Sequence, residues 1–169
     1  LRDPLGTILR RNAVLVALAL VFVALLAFVR DFGSVSNLMG VLRQSCIVGA
    51  MSLGMTVAFL AGEFDMSPAA TASCAGTFAA ALMGTGVSAL TAISVAFAFG
   101  VVAGVVNGFL VVALGVNSFI ATLGTHFVIN GIELLCNQGN PLFRGIPIAF
   151  LQMARGYVGP IPVPVILVV

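Results

Sequence analysis

Lysine and tryptophan are both absent from this 169-residue chain, and tyrosine occurs once, at Tyr157. Every basic side chain is therefore an arginine, and the aromatic belts that usually mark membrane–water interfaces are thin. Charged residues make up only 7% of the chain, against about a quarter in a soluble domain. The net charge of +2 is too small for the basic footprint of a nucleic-acid partner. The chain lacks a Walker-type phosphate loop, which excludes ATP hydrolysis by the chain itself. His126 is the single histidine, so no paired-histidine spacing offers a haem or metal site, and no serine or cysteine has a histidine–acid set for nucleophilic catalysis. The reading is a non-enzyme without cofactor or metal. Cys46, Cys74 and Cys136 are odd in number and lie in or beside apolar runs, which argues against a disulfide framework and for small buried side chains.

What is abundant is apolar surface: 61% of residues are hydrophobic and mean hydropathy is +1.23. The fold class is all-α, a polytopic transmembrane helical bundle. The apolar run Ala13–Val29 follows Arg10 and Arg11, exceeds a secretory signal core and lacks a small-residue cleavage site, so it reads as a retained first span. Arg2, Arg10 and Arg11 against Asp3 place the N-terminus in the cytoplasm. Arg30 and Asp31 close that span. Ser36 or Asn37 can cap a second helix over Leu38–Ala61, with Arg43 and Gln44 snorkelling to the outer interface. A third, short helix covers Pro68–Met83, a fourth Ala89–Leu114, and a fifth, capped by Ser118, reaches Cys136. The segment Asn137–Pro162 is richer in Gly, Pro, Asn and Arg. It reads as an outside loop, with a short interfacial helix within Pro147–Arg155 and with Arg144 and Arg155 against the positive-inside rule. The sequence stops inside the apolar run Val163–Val169, so about five spans and the start of a sixth are expected, from the N-terminal part of a longer protein.

Acidic groups are rare enough to count singly. Glu63 and Asp65 are the only carboxylates between Phe32 and Ile132, and ionisable residues in such surroundings are functional candidates by default. Gly62, Asp65, Ser67 and Pro68 together read as a helix-break or gating motif. Ser67 is placed to cap the third helix and Pro68 to start it, and Asp65 is placed to meet the exposed amides at its positive end. Short small-residue helices beside an irregular polar loop resemble the discontinuous helices of transporters. Gly100, Gly104 and Gly108 share one face of the fourth helix, a spacing that lets helix backbones approach closely. Asn107 beside that face needs a hydrogen-bond partner. On the fifth helix Ser118, Thr122, Thr125 and the pair Asn130/Glu133 recur at helical intervals, which suits either inter-helix hydrogen bonding or lining of a solute route. Asn107, Thr122 and Thr125 are the candidate path-lining residues.

Three stretches carry a family resemblance. Asn37-Leu38-Met39-Gly40-Val41-Leu42-Arg43-Gln44 leads into the second span. Gly62-Glu63-Phe64-Asp65-Met66-Ser67 is similar to a Gly-Gly-Ile-Asp-Leu-Ser loop. Val106-Asn107-Gly108 is followed by the signature Phe119-Ile120-Ala121-Thr122-Leu123-Gly124-Thr125. In these the chain resembles the permease subunits of bacterial ABC importers for sugars of the ribose/xylose/galactose type. It departs from the pattern at Glu63, Phe64 and Pro68, where Gly, Ile and Val are more usual. The resemblance implies one transmembrane permease domain over residues 1–169, lacking the C-terminal half with its ATPase-docking segment. It implies a bacterial inner-membrane location. The implied partners are cytoplasmic ATPase subunits, an extracytoplasmic solute-binding protein, a second permease subunit (identical or different) and membrane lipid. An ion-coupled secondary transporter using Glu63 and Asp65 is the alternative, and a non-transporting membrane scaffold is a third.

Overall fold

The computed structural model describes residues 11–142 and 145–168. Arg2, Asp3, Arg10 and Arg144, which enter the topology reading, lie outside the described residues. Contacts divide the chain into two compact units, Leu1–Gln44 and Ser45–Val169, considered in turn.

The first unit holds α1 (Ala13–Phe28), which buries none of its residues, and the start of α2 (Val35–Leu60). The corner between them turns at Asp31, whose φ of 59° is left-handed. Phe22 and Phe32 close it edge to face, with ring centroids 5.5 Å apart. The second helix starts earlier than its sequence suggests. Ser34, rather than Ser36 or Asn37, acts as the cap: its Oγ accepts from the Asn37 amide at 3.3 Å. Asn37 instead turns back and donates its side-chain amide to the Phe32 carbonyl at 2.7 Å.

In the second unit α3 (Pro68–Gly84) packs on both α4 (Ala89–Gly108) and α5 (Ser118–Asn137). The small side chains of α3 explain the close fit. Ala70 and Cys74 meet Ala103 and Ile129, and Phe78 stands edge to face with Phe99 at 4.9 Å. Nearer the other end, Ala79, Met83 and Ala92 form a second cluster, against which Ile146 and Phe150 pack. Ser88 caps α4 by accepting from the Thr91 amide. The α4 run does not continue as a regular α-helix to Leu114. From Phe109 to Ala113 it widens into a π-helix, closed by the Leu114 amide on the Phe109 carbonyl. The cap of α5 is Asn117, whose Oδ1 accepts from the Ile120 amide, and not Ser118, which is the first helical residue.

Beyond α5 come α6 (Ile148–Arg155), a two-residue hairpin pairing β1 (Tyr157–Val158) with β2 (Ile161–Pro162), and α7 (Val163–Val168). Gly145 seats this segment on α3: with φ +74°, a Cβ there would lie 2.8 Å from Gly84 Cα. All three cysteines are free. Cys74 is buried as expected, but Cys46 is half-buried and Cys136 exposed, which corrects the expectation for those two.

Among the described residues, three helical stretches are long and apolar enough to cross a membrane: Val35–Leu60, Ala89–Ala113 and Ser118–Asn137. Ala13–Phe28 is apolar but shorter. The exposed surface of these helices is dominated by residues such as Leu60, Val112 and Leu135, each more than 80% exposed. That is the pattern of helices whose outer faces meet lipid or further helices rather than water.

Candidate functional site

The loop between α2 and α3 carries Glu63, Asp65 and Ser67. α2 ends in a reciprocal pair of bonds: the Gly62 amide reaches the Phe59 carbonyl and the Glu63 amide reaches the Ala58 carbonyl, both at 3.0 Å. This is the Schellman ending, and it places Gly62 at φ +81°, where a side chain is strained.

From Phe64 the chain runs extended along α5. The Phe64 amide donates to Ser118 Oγ at 3.1 Å, and the Met66 amide to Thr122 Oγ1 at 3.0 Å. Thr122 Oγ1 lies 3.1 Å from the Phe64 carbonyl and 2.8 Å from that of Ser118, so its one proton is shared between them. His126 Nδ1 donates to the Met66 carbonyl at 3.1 Å. Two physical periods coincide here. Every second residue of an extended strand presents its backbone to the same side, about 6.6 Å apart, and every fourth residue of a helix is about 6 Å further along one face. Ser118, Thr122 and His126 therefore match Phe64 and Met66 rung by rung. Phe64 is also clamped between Phe59 and Phe119, with centroids at 4.9 and 6.0 Å.

A second set of bonds runs across the start of α3. Asp65 Oδ1 accepts both the Ser67 amide at 2.8 Å and the Ser67 hydroxyl at 2.7 Å. Ser67 precedes Pro68, yet its side chain makes no cap hydrogen bond; its hydroxyl is spent on Asp65. Ser67 Oγ in turn accepts from Asn107 Nδ2 at 2.8 Å, and Asn107 Oδ1 accepts from Thr125 Oγ1. A carboxylate only accepts, so Asp65 fixes the direction of each link. Ser67 must donate to it, Asn107 must present its NH₂ to Ser67, and its oxygen must face Thr125. Ser67, Asn107 and Thr122 are at most 5% exposed, and this chain of bonds ties α3, α4 and α5 at one level.

The polar groups nominated as path lining are thus engaged within the chain. Asn107 spends both ends of its amide, and Thr122 and Thr125 each hold carbonyls of their own helix as well as loop or network partners. Of the three glycines on α4, Gly100 comes near Thr71, whose Cγ2 would be 4.0 Å from an added Cβ, while Gly104 and Gly108 face open space. Gly104, Gly108 and Asn107 line a mainly apolar groove of about 350 Å³, shared with Val57, Glu63 and Asp65. Glu63 is exposed at its rim, and its carboxylate makes no hydrogen bond or ion pair among the described residues.

The sequence placed Glu133 on the polar stripe of the fifth helix without naming its partners. It lies further along α5, where its Oε1 accepts from Ser73 Oγ and Thr77 Oγ1 of α3, each at 2.8 Å. The signal was present in two hydroxyls four residues apart on a small-residue helix, facing a carboxylate at comparable depth. Among the described residues no group of three or more His, Cys, Asp or Glu side chains is placed to hold a metal ion.

The family model described as "Branched-chain amino acid transport system / permease component" matches residues 37–147, the stretch that contains the loop, Asn107 and all of α5. The ribose import permease protein of Escherichia coli (strain K12) is 30% identical over 131 residues, which is 78% of this chain and 41% of that protein. The ribose import permease protein of Bacillus subtilis (strain 168) is 34% identical over 134 residues, 79% of this chain and 42% of its own length. The L-arabinose transport system permease protein of Escherichia coli (strain K12) is 30% identical over 134 residues, 79% of this chain and 41% of that protein. The chain thus spans about two fifths of the length of these relatives. No solved structure matches.

Proposed function

The chain belongs to the permease-component family of branched-chain amino acid transport systems, and from that premise we propose that it is part of the membrane-spanning subunit of a bacterial ABC importer. The solute is a sugar or a sugar-like polyol. The observation that carries this reading is the likeness to permeases of two different pentoses, ribose and L-arabinose, at about 30% identity over more than three quarters of the chain. The ion-coupled alternative draws no support from these relatives, and Asp65, one of its two carboxylates, is held by Ser67.

In this reading the permease sits in the inner membrane with its N-terminus in the cytoplasm. It crosses five times through α1 to α5, so that residues 138–162 lie outside and α7 opens the next span. ATP is hydrolysed by separate cytoplasmic subunits, solute arrives on an extracytoplasmic binding protein, and a second permease subunit completes the pathway. Gly62, Asp65, Ser67 and Pro68 form the break between α2 and α3. Asn107, Thr122 and Thr125 form the wall that holds the break against α4 and α5 beside the route. Gly100, Gly104 and Gly108 act as helix-packing positions.

The test is uptake by the complete permease, assembled with its ATPase and binding protein in proteoliposomes, using radiolabelled ribose and L-arabinose. Uptake that requires ATP is the expected result. Uptake driven by an ion gradient without ATP would overturn the proposal. A reporter fusion at Gln138 with an activity confined to the outside tests the crossing count.

A further inference from the structure

The polar side chains of α5 fall into two classes by whether their hydrogen-bonding capacity is already used. Each side-chain polar atom of Ser118, Thr122 and Thr125 has a partner in the loop, on Asn107 or on its own helix. His126, Asn130 and Glu133 each keep at least one polar atom with no partner among the described residues. His126 Nδ1 faces a carbonyl, which can only accept, so in the neutral ring Nδ1 carries the proton and Nε2 is an acceptor without a partner. Asn130 is exposed and its side-chain amide makes no hydrogen bond among the described residues. Glu133 receives two hydroxyls on Oε1, and Oε2 has no partner among the described residues.

These three lie within about 60° of arc, one helical turn apart. The geometry explains why they are unspent. A row of residues at i, i+4, i+8 drifts around an α-helix by about 40° per step. The row Ser118, Thr122, His126, Asn130 begins under the α2–α3 loop and by Asn130 has turned away from it. The loop itself ends at Ser67, where α3 begins.

α5 is also one of the three helices apolar enough to cross a membrane. An unpaired amide beside an unpaired carboxylate oxygen is costly against lipid, so this face must meet water, solute or polar protein. Exposed neighbours on other faces of the helix, Leu134 and Leu135, are purely apolar, so polarity is confined to one stripe.

We propose that His126, Asn130 and Glu133 form a solute-facing ladder in the outer half of α5 that hands a neutral polyhydroxylated solute along the pathway by its hydroxyl groups. The proposal rests on the permease reading above. His126 Nε2 and Glu133 Oε2 accept only, and Asn130 both gives and accepts. The ladder therefore suits a ligand rich in O–H donors, and the carboxylate repels anions. Its members differ from the wall residues Asn107, Thr122 and Thr125, whose side-chain polar atoms each already hold a partner within the chain.

Two measurements on the complete permease chain test this. The first replaces Cys46, Cys74 and Cys136 by alanine, introduces Asn130→Cys, and exposes membranes to a small water-soluble methanethiosulfonate. Modification of Asn130→Cys in at least one nucleotide state is expected, with Asn107→Cys unmodified. Failure of Asn130→Cys to react in every state would overturn the ladder. This readout is independent of which solute is carried. The second compares Asn130→Leu and Asn130→Ser with the native chain in the assembled importer, at saturating loaded binding protein. Asn130→Leu should lower ribose or L-arabinose uptake about tenfold, the value of about one hydrogen bond, while binding-protein-stimulated ATP hydrolysis keeps more than half its rate; Asn130→Ser should recover much of the uptake. Equal loss of uptake and ATP hydrolysis in Asn130→Leu, or undiminished uptake, would overturn it. If the native chain takes up neither sugar but Asn130→Cys reacts, the choice of sugar falls and the ladder stands.

Discussion

Asn107 of α4 donates its side-chain amide to Ser67 at the start of α3 across 2.8 Å, with 40 residues of chain between them. The contact is buried, and among the described residues it is the link by which the Asp65–Ser67 pair reaches Thr125. Asn107→Leu fills the space but removes the donor to the Ser67 oxygen and the partner of Thr125 outside its own helix, leaving Ser67 on Asp65 and Thr125 on the Ala121 carbonyl. A loss of about 1–3 kcal/mol in stability is expected, read as a lower thermal midpoint of the detergent-solubilised protein. Asn107→Asp should cost at least as much, since it removes the only donor to Ser67 and sets a second carboxylate two hydrogen bonds from Asp65. An unchanged midpoint in both variants would show that the network contributes nothing.

Asp65 accepts two bonds from one residue, and its substitutions should separate. Asp65→Asn keeps an oxygen for the Ser67 amide and hydroxyl, whereas Asp65→Ala leaves both without an acceptor. The alanine variant should lose about 1.5–3 kcal/mol and the asparagine variant less. Membrane abundance and uptake are to be measured separately, because a gating role lowers uptake at normal abundance. Normal uptake in both variants would remove Asp65 from the mechanism.

Two glycines are expected to resist replacement for different reasons. Gly62→Ala has free space but must hold φ at +81°, a cost of about 1–2 kcal/mol. Gly145→Ala has the same backbone strain and also drives its Cβ to 2.8 Å from Gly84 Cα. The total is about 3 kcal/mol, with faster proteolysis of the segment after α5 as the readout. Equal tolerance of both would contradict the close approach at Gly84.

Glu63 should be nearly silent. Its exposed carboxylate holds no partner among the described residues, so Glu63→Gln is expected to change stability by no more than about 0.5 kcal/mol and to leave ATP-driven uptake intact. A large loss of uptake at normal abundance would instead give Glu63 a part in transport.

The sequence made the helices legible because long apolar runs between Gly, Ser and Pro leave few alternatives, and α3, α5 and the short helix Ile148–Arg155 appear close to their expected limits. Caps were misplaced by a few residues at Ser36/Asn37 and by one at Ser118, because several hydroxyl and amide residues in a row satisfy the same local rule. Only tertiary contacts choose between them: Ser118 is drawn off by the Phe64 amide. The π-helix at Phe109–Ala113 has no signature in its apolar composition. The loop motif was visible as a motif, but not its partners. That Thr122 and His126 serve the backbone of residues 64 and 66 depends on an extended segment lying parallel to a helix 50 residues later, which no local pattern encodes.

The segment Phe64–Ser67 interrupts the helical run between α2 and α3, and interruptions suggest joints. Here the interruption is splinted. Its amides and carbonyls are bound to α5, its aromatic ring is clamped, and its last residue is fastened to α4. A splinted break does not flex; it travels with the helices that hold it. The segment is thereby not an independent hinge but a strap that makes α3, α4 and α5 one mechanical body.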